Sequence, residues 1–343
     1  MPRKLITRHD PAPKFEIPQG QVLRGLSALV DPEHNVHLKW IKTKEDPTLP
    51  GLVEALQDAF ATYKGRSKPV GVPTRTHKDL LSVYPIADQH LGLMAWGRET
   101  GESSDLELGA KRLRAVSARL LNQSPASRQA LVLNLGDWTH TDDSRNETPG
   151  HRNRLDVDSR YPKIVRVGVD LFIDLIEGAK AKHERVLVKV IPGNHDPHAS
   201  VALSIALEKF YANDKRVKID SDPSEHFFLR FGQTLLGAHH GHRARAQQLV
   251  NHMSDVRRKD WGETRWHWIL TGHIHHETLK EIASCRVESF QTLAAKDAYH
   301  ANAGYSAGQS LSCITLHRED GELERQRVNI PPPARDAKTL EVA

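Results

Sequence analysis

The sequence predicts an α/β fold, and three observations carry that prediction. From Asp79 onward, short apolar runs alternate with longer segments whose apolar residues recur at helical spacing. Five of the apolar runs end in glycine, aspartate, asparagine and histidine, the junctions at which strands of such folds give way to loops. With 343 residues, 38% hydrophobic and 27% charged, the chain has the composition for one large core and a small additional module.

The first 16 residues are polar and proline-rich and are expected to lack regular structure. The runs "QVLRGLSALV" and "VHLKWIKTK" flank the turn-rich "DPEHN", which predicts a β-hairpin. In "LPGLVEALQDAFATYKG", Leu52, Leu56, Phe60 and Tyr63 fall at helical spacing and Gly65 suits a C-terminal end, so a helix is predicted. Hairpin and helix are too small to bury much alone and are expected to lean on the main domain. The segment "RSKPVGVPTRTHK" reads as a linker. Residues 1–78 are thus assigned to an accessory module with its linker, 79–331 to the main α/β domain, and 332–343 to a loose tail.

Within the main domain "LLSVYPIA" is a predicted strand, and Leu106, Ala110, Leu113, Ser117 and Leu120 mark one face of a helix. The strand "ALVLNL", the long helix "IVRVGVDLFIDLIEGAKAK", the strand "RVLVKVI" and the helix "ASVALSIALEKFY" follow. Short strands are predicted at "RVKID", "HFFLRFG", "TLLGA" and "WHWIL", with "ASCRVESFQTL" and "SLSCITLHR" as antiparallel closing strands. Trp266 and Trp268 alternate along one strand and are expected in the core.

Several classes are set aside by composition. No apolar stretch reaches the roughly 18 residues that span a bilayer, and "MPRKLITRHDPAPKF" has no hydrophobic signal core, so a cytoplasmic protein without a membrane partner is expected. Cys285 and Cys313 form neither a disulfide framework nor a zinc-knuckle spacing. The net charge is +5, and residues 1–78, with 13 Lys and Arg against 8 Asp and Glu, hold the whole excess. A basic module beside a neutral domain is compatible with a polyanion such as DNA, because lysine and arginine displace counterions from phosphates.

The chemistry is concentrated at the strand ends. In order these carry Asp88 and His90; Asp137 and His140; Asn194, His195 and Asp196; His239, His240 and His242; and His273, His275 and His276. The stretches 88–90, 137–140, 193–198, 238–242 and 272–276 hold 10 of the 21 histidines, which scatter would not produce. Because the carboxyl ends of strands in an α/β sheet face one crevice, these side chains are expected to converge. Hard oxygens with imidazole nitrogens suit manganese, iron or zinc better than calcium. Eight such side chains exceed what one ion needs, so two ions sharing a bridging carboxylate are expected, roughly 3.5 to 4 Å apart as in phosphoester hydrolases. Gly136, Gly193, Gly241 and Gly272 are expected to keep the backbone tight around them.

The ordered set D-x-H, G-D, G-N-H-D, H-G-H and G-H-x-H, spanning roughly residues 80 to 280, resembles the five signatures of the calcineurin-like metallophosphoesterases. The resemblance implies a four-layered α/β/β/α sandwich, here with a small N-terminal β-hairpin-plus-helix module, and a dinuclear centre. Asp88, His90, Asp137 and either His273 or His275 would hold one ion, Asp137 bridging; Asn194, His240 and the other of that histidine pair would help hold the second. His195 would face the scissile phosphate rather than bind metal. Asp196 is expected to orient His195 by fixing its tautomer, and His239, preceding His240 along a strand, to point away. His198, His242 and His276 are open between a loop surface and a substrate-facing role.

The flanks "DQHLG", "GDWTH" and "GNHD" are similar to those of DNA double-strand-break repair nucleases of the SbcD type, and the whole, N-terminal module included, to phage-encoded phosphoesterases. The expected activity is therefore that of a dinuclear-metal-dependent phosphodiesterase, a manganese-dependent DNA nuclease using a metal-bridging hydroxide, with His195 as general acid. The alternative is a phosphatase or phosphodiesterase acting on a small nucleotide or other small phosphoester. For DNA, the polar stretch Arg145 to Arg160 and Arg243 with Arg245 would grip the backbone, and His140, Arg145, His242 and Arg243 are the expected substrate-binding residues.

Overall fold

A computed structural model describes residues 21–31, 36–45, 70–304 and 306–331. The predicted helix at 52–63, the first 16 residues and the tail at 332–343 lie outside the described residues. The chain divides into two compact units, Met1–Gly51 and Leu52–Ala343. In the first, the predicted hairpin forms: β1 (Gln21–Val30) pairs antiparallel with β2 (Val36–Glu45), Gln21 opposite Glu45.

The second unit is built on two sheets. The larger has six strands: β3 (His77–Ile86), β4 (Ser127–Asn134), β5 (Arg185–Val190), β6 (Val217–Asp220), β12 (Gln309–His317) and β13 (Gly321–Ile330), in the order β13-β12-β3-β4-β5-β6. Strands β3 to β6 are mutually parallel, and β12 joins β3 antiparallel. The smaller sheet, in the order β10-β11-β9-β8-β7, contains β7 (Phe227–Phe231), β8 (Thr234–His239), β9 (Trp266–Thr271), β10 (Thr278–Ile282) and β11 (Cys285–Ser289). Its central pairs β8·β9 and β9·β11 are parallel.

Period-two alternation sorts the side chains into layers. Leu81 and Val83 of β3 and Leu131 and Leu133 of β4 meet Leu236, Trp268 and Leu270 of the smaller sheet in a core between the sheets. Tyr84, Ile86, Ala130 and Val132, the alternate residues, face helices α1 (Leu106–Gln123), α2 (Tyr161–Lys182) and α3 (Pro197–Phe210) in a second core. Leu235 and Ile269 face α4 (Ala246–Val256), through Leu249, Val250 and Met253, in a third. The order helix, sheet, sheet, helix is thus the expected α/β/β/α sandwich. Leu113, Ile164 and Phe172 are fully buried beneath α1 and α2, and burying side chains of this size contributes about 1.5–3 kcal/mol each.

Two expectations are corrected. The runs around Cys285 and Cys313 do not pair with each other: β11 pairs with β9 and β10, whereas β12 pairs with β3 and β13. Their apolar residues enter different cores, Cys285 with Met253 and Cys313 with Tyr84. Strands β10 and β13 were not singled out in the sequence because they are edges with few buried residues, and edge strands carry little apolar periodicity. Trp268 is buried as expected, but Trp266, at the start of β9, is 47% exposed and donates its indole N–H to Glu319 O. Among the described residues no helix is long and apolar enough to cross a membrane.

Candidate metal centre

The loops leaving β3, β4 and β5 on one sheet and β8 and β9 on the other meet at one edge of the sandwich. Backbone bonds continue past the strands and lace the loops together: His90 N–H donates to Asp137 O at 2.9 Å, Leu91 N–H to Trp138 O at 2.9 Å, and Gly272 N–H to His240 O at 2.9 Å. Asp88, His90, Asp137, His273 and His275 all adopt left-handed backbone conformations, with φ of 52°, 46°, 53°, 72° and 58°. Such conformations are costly for residues with a Cβ and persist where the surrounding structure enforces them. The loops after β3, β4 and β9 therefore turn sharply at the residues whose side chains they present.

Two glycines make the convergence possible. A Cβ at Gly193 would lie 2.0 Å from Asp137 Oδ1, and one at Gly136, where φ is +101°, would lie 2.4 Å from His240 Nδ1. No larger residue leaves room for those two side chains.

The side chains assemble into three groups, in each of which one ligand atom per residue lies within 4.8 Å of the others: Asp88, His90 and His275; Asp137, His240 and His273; and His90, His140 and His195. His90 Nε2 and His275 Nε2 are 3.0 Å apart, and His275 Nε2 is 3.5 Å from Asp88 Oδ1. Asp137 Oδ2 lies 3.2 Å from His240 Nε2 and 3.8 Å from His90 Nε2, so its carboxylate stands between the first two groups. Asn194 Oδ1 is 3.0 Å from His240 Nε2 on the second group's side. Of the histidine pair left open in sequence, His275 lies with Asp88 and His90, and His273 with Asp137 and His240.

Asp88 and Asp137 are 0% and 1% exposed, and their ion-pair partners among the described residues are histidines. Buried carboxylates facing imidazoles are the pattern in which buried charge is matched by a bound cation. Carboxylate, amide and imidazole donors without a thiolate fit manganese, iron or zinc. His240 Nδ1–H donates to Leu135 O at 2.7 Å, and since a carbonyl only accepts, Nε2 is the nitrogen left for an ion. Burial pushes the His240 imidazole down, but the charge and hydrogen bond of Asp137, the Asp88 charge and the Leu135 carbonyl together outweigh it and raise it to about 10. Asp137 responds in kind: burial pushes it up, and the charge and hydrogen bond of His240 hold it well below the carboxylate range. Burial keeps His90 well below the ordinary histidine range, neutral as a ligand must be, and takes His140 down to about 3.

The structure corrects the role expected for Asp196. Its oxygens accept four backbone N–H groups, from Asp137 at 3.1 Å, Trp138 at 2.7 Å, Thr139 at 3.2 Å and Gly193 at 3.0 Å. It therefore ties the Asp137 loop to the Gly193 loop. The group that orients His195 is a backbone carbonyl, His140 O, which lies 2.8 Å from His195 Nδ1. His140 itself packs against His90 and stacks on His195, ring centroids 5.2 Å apart, so it sits among the candidate ligands rather than at a distance from them.

The remaining expected residues are more peripheral. Arg145 is half-exposed and bonded to Asp143 Oδ2 through Nε at 2.8 Å, and Arg243 lies 3.2 Å from Glu225. Arg245 is exposed and opens α4. His242 packs beside His240 and His273. His239 accepts from Gly241 N–H and lies 3.6 Å from Glu225, away from the ligand groups. His198, mostly exposed, pairs with Asp142, and exposed His276 turns its Nδ1 to Ile274 O.

Two residues were not singled out in sequence. Asp297 caps helix α5 (Ala298–Asn302) and bonds His300 Nδ1 at 2.6 Å, and the His300 ring stacks on His275 with centroids 4.9 Å apart. "KDAYHAN" carries none of the ordered signatures, so its only signal was a D-x-x-H spacing that many surface helices share. His300 borders a cavity of about 790 Å³ whose wall also includes His273 and His275.

No family model matches the chain, and none of the curated proteins matches it in sequence. Among solved structures the chain is similar to a predicted phosphoesterase from Streptococcus pneumoniae, at 10% identity over 74% of this chain and 100% of that one, with a TM-score of 0.32. It is similar to an archaeal phosphodiesterase at 11% identity over 73% and 99%, TM-score 0.38. A 5′-nucleotidase precursor from Thermus thermophilus is matched at 12% identity over 73% of this chain and 54% of that one, TM-score 0.33.

Proposed function

We propose that the chain is a calcineurin-like metallophosphoesterase, a dinuclear-metal-dependent phosphodiesterase whose substrate is DNA. The observation that carries the reading is the position of Asp137, with one carboxylate oxygen facing His90 of one ligand group and His240 of the other. Asp88, His90, His275 and Asp137 would hold one divalent ion; Asp137, Asn194, His240 and His273 the second, and manganese suits this donor set. Bound there, the ions would neutralise phosphate oxygens and lower the pKa of a water for attack on phosphorus.

The chain's own residues supply the rest. Asp196 fixes the Asp137 and Gly193 loops against each other, so the carboxylate between the groups is held without a rotamer search. His195, its Nδ1–H engaged by His140 O, presents Nε2 to the substrate, and in its doubly protonated form it would pass the Nε2 proton to the leaving oxygen and be left neutral. Thr292 Oγ1 bonds Asp88 O and pins the turn that presents Asp88.

The DNA assignment is supported by the exposed Arg152, Arg154 and Arg160 beside the Asp137 loop and by the basic N-terminal 78 residues. A second reading, a small nucleotide as substrate, is favoured by the 790 Å³ cavity, which is of the size that encloses small ligands. The test compares single- and double-stranded DNA, bis(p-nitrophenyl) phosphate, a mononucleotide and a cyclic dinucleotide under Mn²⁺. DNA and the synthetic diester should be hydrolysed. Intact DNA beside a consumed mononucleotide or cyclic dinucleotide selects the second reading, and turnover of none removes both.

A further inference from the structure

The cavity beside the candidate metal centre is not needed to hold metal, yet it shares its wall with both ligand groups through His273 and His275. A phosphate held by those groups would therefore carry one of its ester substituents into this space. Its volume of about 790 Å³ suits an organic group far larger than the phosphate itself.

The wall nearest the centre is a run of rings. His275 stacks on His300 at 4.9 Å and 21°, and His300 meets Tyr299 edge-on at 5.6 Å and 86°. Tyr299 is 71% exposed, the most exposed of the large apolar side chains among the described residues, although it lines a concave surface. Ligand pockets are lined mainly by aromatic and aliphatic side chains of this kind. Ile274, 42% exposed, adds an aliphatic face. Polar groups also line it: Lys296, and Glu102, whose carboxylate is anchored by Arg112 and by Gln309 Nε2 at 3.1 Å. Flat rings beside fixed hydrogen-bonding groups match a nucleobase, whose π-face stacks on aromatic side chains and whose edge carries donors and acceptors.

We propose that this cavity seats the nucleoside borne by the scissile phosphate, with Tyr299 as the ring on which its base stacks. The assignment rests on the phosphoesterase reading for the position of the phosphate, and the nucleoside belongs either to a free nucleotide or to one residue of a DNA strand.

The test is a binding measurement on the full, Mn²⁺-loaded chain, with two probes that cannot be hydrolysed. These are methylphosphonate and the analogue of thymidine 5′-monophosphate in which a methylene replaces the 5′ oxygen. The nucleoside probe should bind roughly tenfold or more tightly than methylphosphonate, the margin expected for one stacked base. Tyr299→Ala should remove most of that margin. Ala307→Trp, which fills the cavity from another exposed wall residue, should do the same, so a folding defect in one variant does not decide the outcome. Equal binding of the two probes, or wild-type margins in both variants, overturns the proposal. Displacement of the nucleoside probe by a phosphorothioate-linked thymidine hexamer identifies a DNA residue as the source; a hexamer that leaves the probe bound identifies a free nucleotide. A nucleoside margin in a chain that hydrolyses no phosphoester removes the phosphoesterase reading and leaves the cavity assignment standing. Hydrolysis without the margin does the reverse.

Discussion

Asp137 Oδ2 lies 3.2 Å from His240 Nε2 and 3.8 Å from His90 Nε2, so a single carboxylate oxygen faces both ligand groups. Asp137→Asn keeps the shape and removes the charge. Since changes to groups that merely support a ligand cost 10- to 100-fold, loss of a shared ligand should lower metal affinity and turnover by more than about 100-fold. Metal content by mass spectrometry and rates on bis(p-nitrophenyl) phosphate measure both. A variant that retains two ions and wild-type turnover would show that the two groups do not share this residue.

His195 is oriented by a carbonyl and not by a carboxylate, which makes its function separable from that of Asp196. His195→Ala should lower kcat by roughly 10² to 10⁴ while bound metal is unchanged. His195 also belongs to the group with His90 and His140. Loss of metal in the variant would therefore reassign it as a ligand.

Asp196→Asn replaces an oxygen that accepts from Trp138 and Thr139 by an amide that donates, or does the same to the oxygen facing Asp137 and Gly193. Burial and the Asp137 charge push this carboxyl up to about 7, while the Ser200 hydroxyl and the Thr139 N–H pull it the other way. Leaving buried N–H groups unpaired costs about 1–3 kcal/mol each. The variant should unfold at lower denaturant concentration and bind metal more weakly, since the Asp137 loop loses its tie. A His195 oriented by Asp196 would instead show a kcat defect with stability intact.

Gly193→Ala tests the crowding at the centre. The added methyl would meet Asp137 Oδ1 at 2.0 Å, so either the loop or the carboxylate must move. Overpacking of this kind costs about 1–3 kcal/mol. Weaker metal binding is the expected readout, and unchanged affinity together with unchanged stability would mean that the loop is not packed as described.

Far from the centre, buried His183 sets an acid limit on stability. Its Nδ1–H donates to Ser127 O at 2.9 Å and its Nε2 accepts from Tyr84 OH at 2.8 Å, which fixes the neutral form. Burial pushes its pKa down to about 4, against the weaker pull of the Ser127 carbonyl. Between about pH 6.5 and 4 the unfolded chain binds a proton at this position and the folded chain does not. Stability is therefore intact above about 6.5 and falls as the pH drops through that window, by on the order of 3 kcal/mol at its end. Denaturant titrations at pH 7 and pH 4 should show a smaller loss for His183→Gln than for wild type. Parallel losses would count against the assignment.

Much of the fold was legible because both sheets bury alternate residues on two sides. Leu81 with Val83, and Tyr84 with Ile86, feed opposite cores, and a strand loaded on both faces reads as an apolar run. Helices α1 and α2 were legible from one apolar face each. Edge strands β10 and β13 were not, having little to bury. In the candidate centre, residue type and position at strand ends were sufficient to bring Asp88, His90, Asp137, Asn194, His240, His273 and His275 together. The carbonyls of Leu135 and His140 that orient His240 and His195 were invisible, because every residue carries a carbonyl and only folding selects which one faces an imidazole.

By itself the sequence determined the α/β layering and the strand ends that carry the candidate ligands, since both follow from local periodicity and residue chemistry. Only the tertiary structure decided the partition of His273 and His275 between the two groups, the reassignment of Asp196 to the backbone of its neighbouring loops, and the cavity that Tyr299 and His300 line beside the centre. Each of these depends on the distance between segments far apart in the chain. Spacing along a sequence sets which side chains a loop presents; the packing of one sheet on the other sets which of them meet.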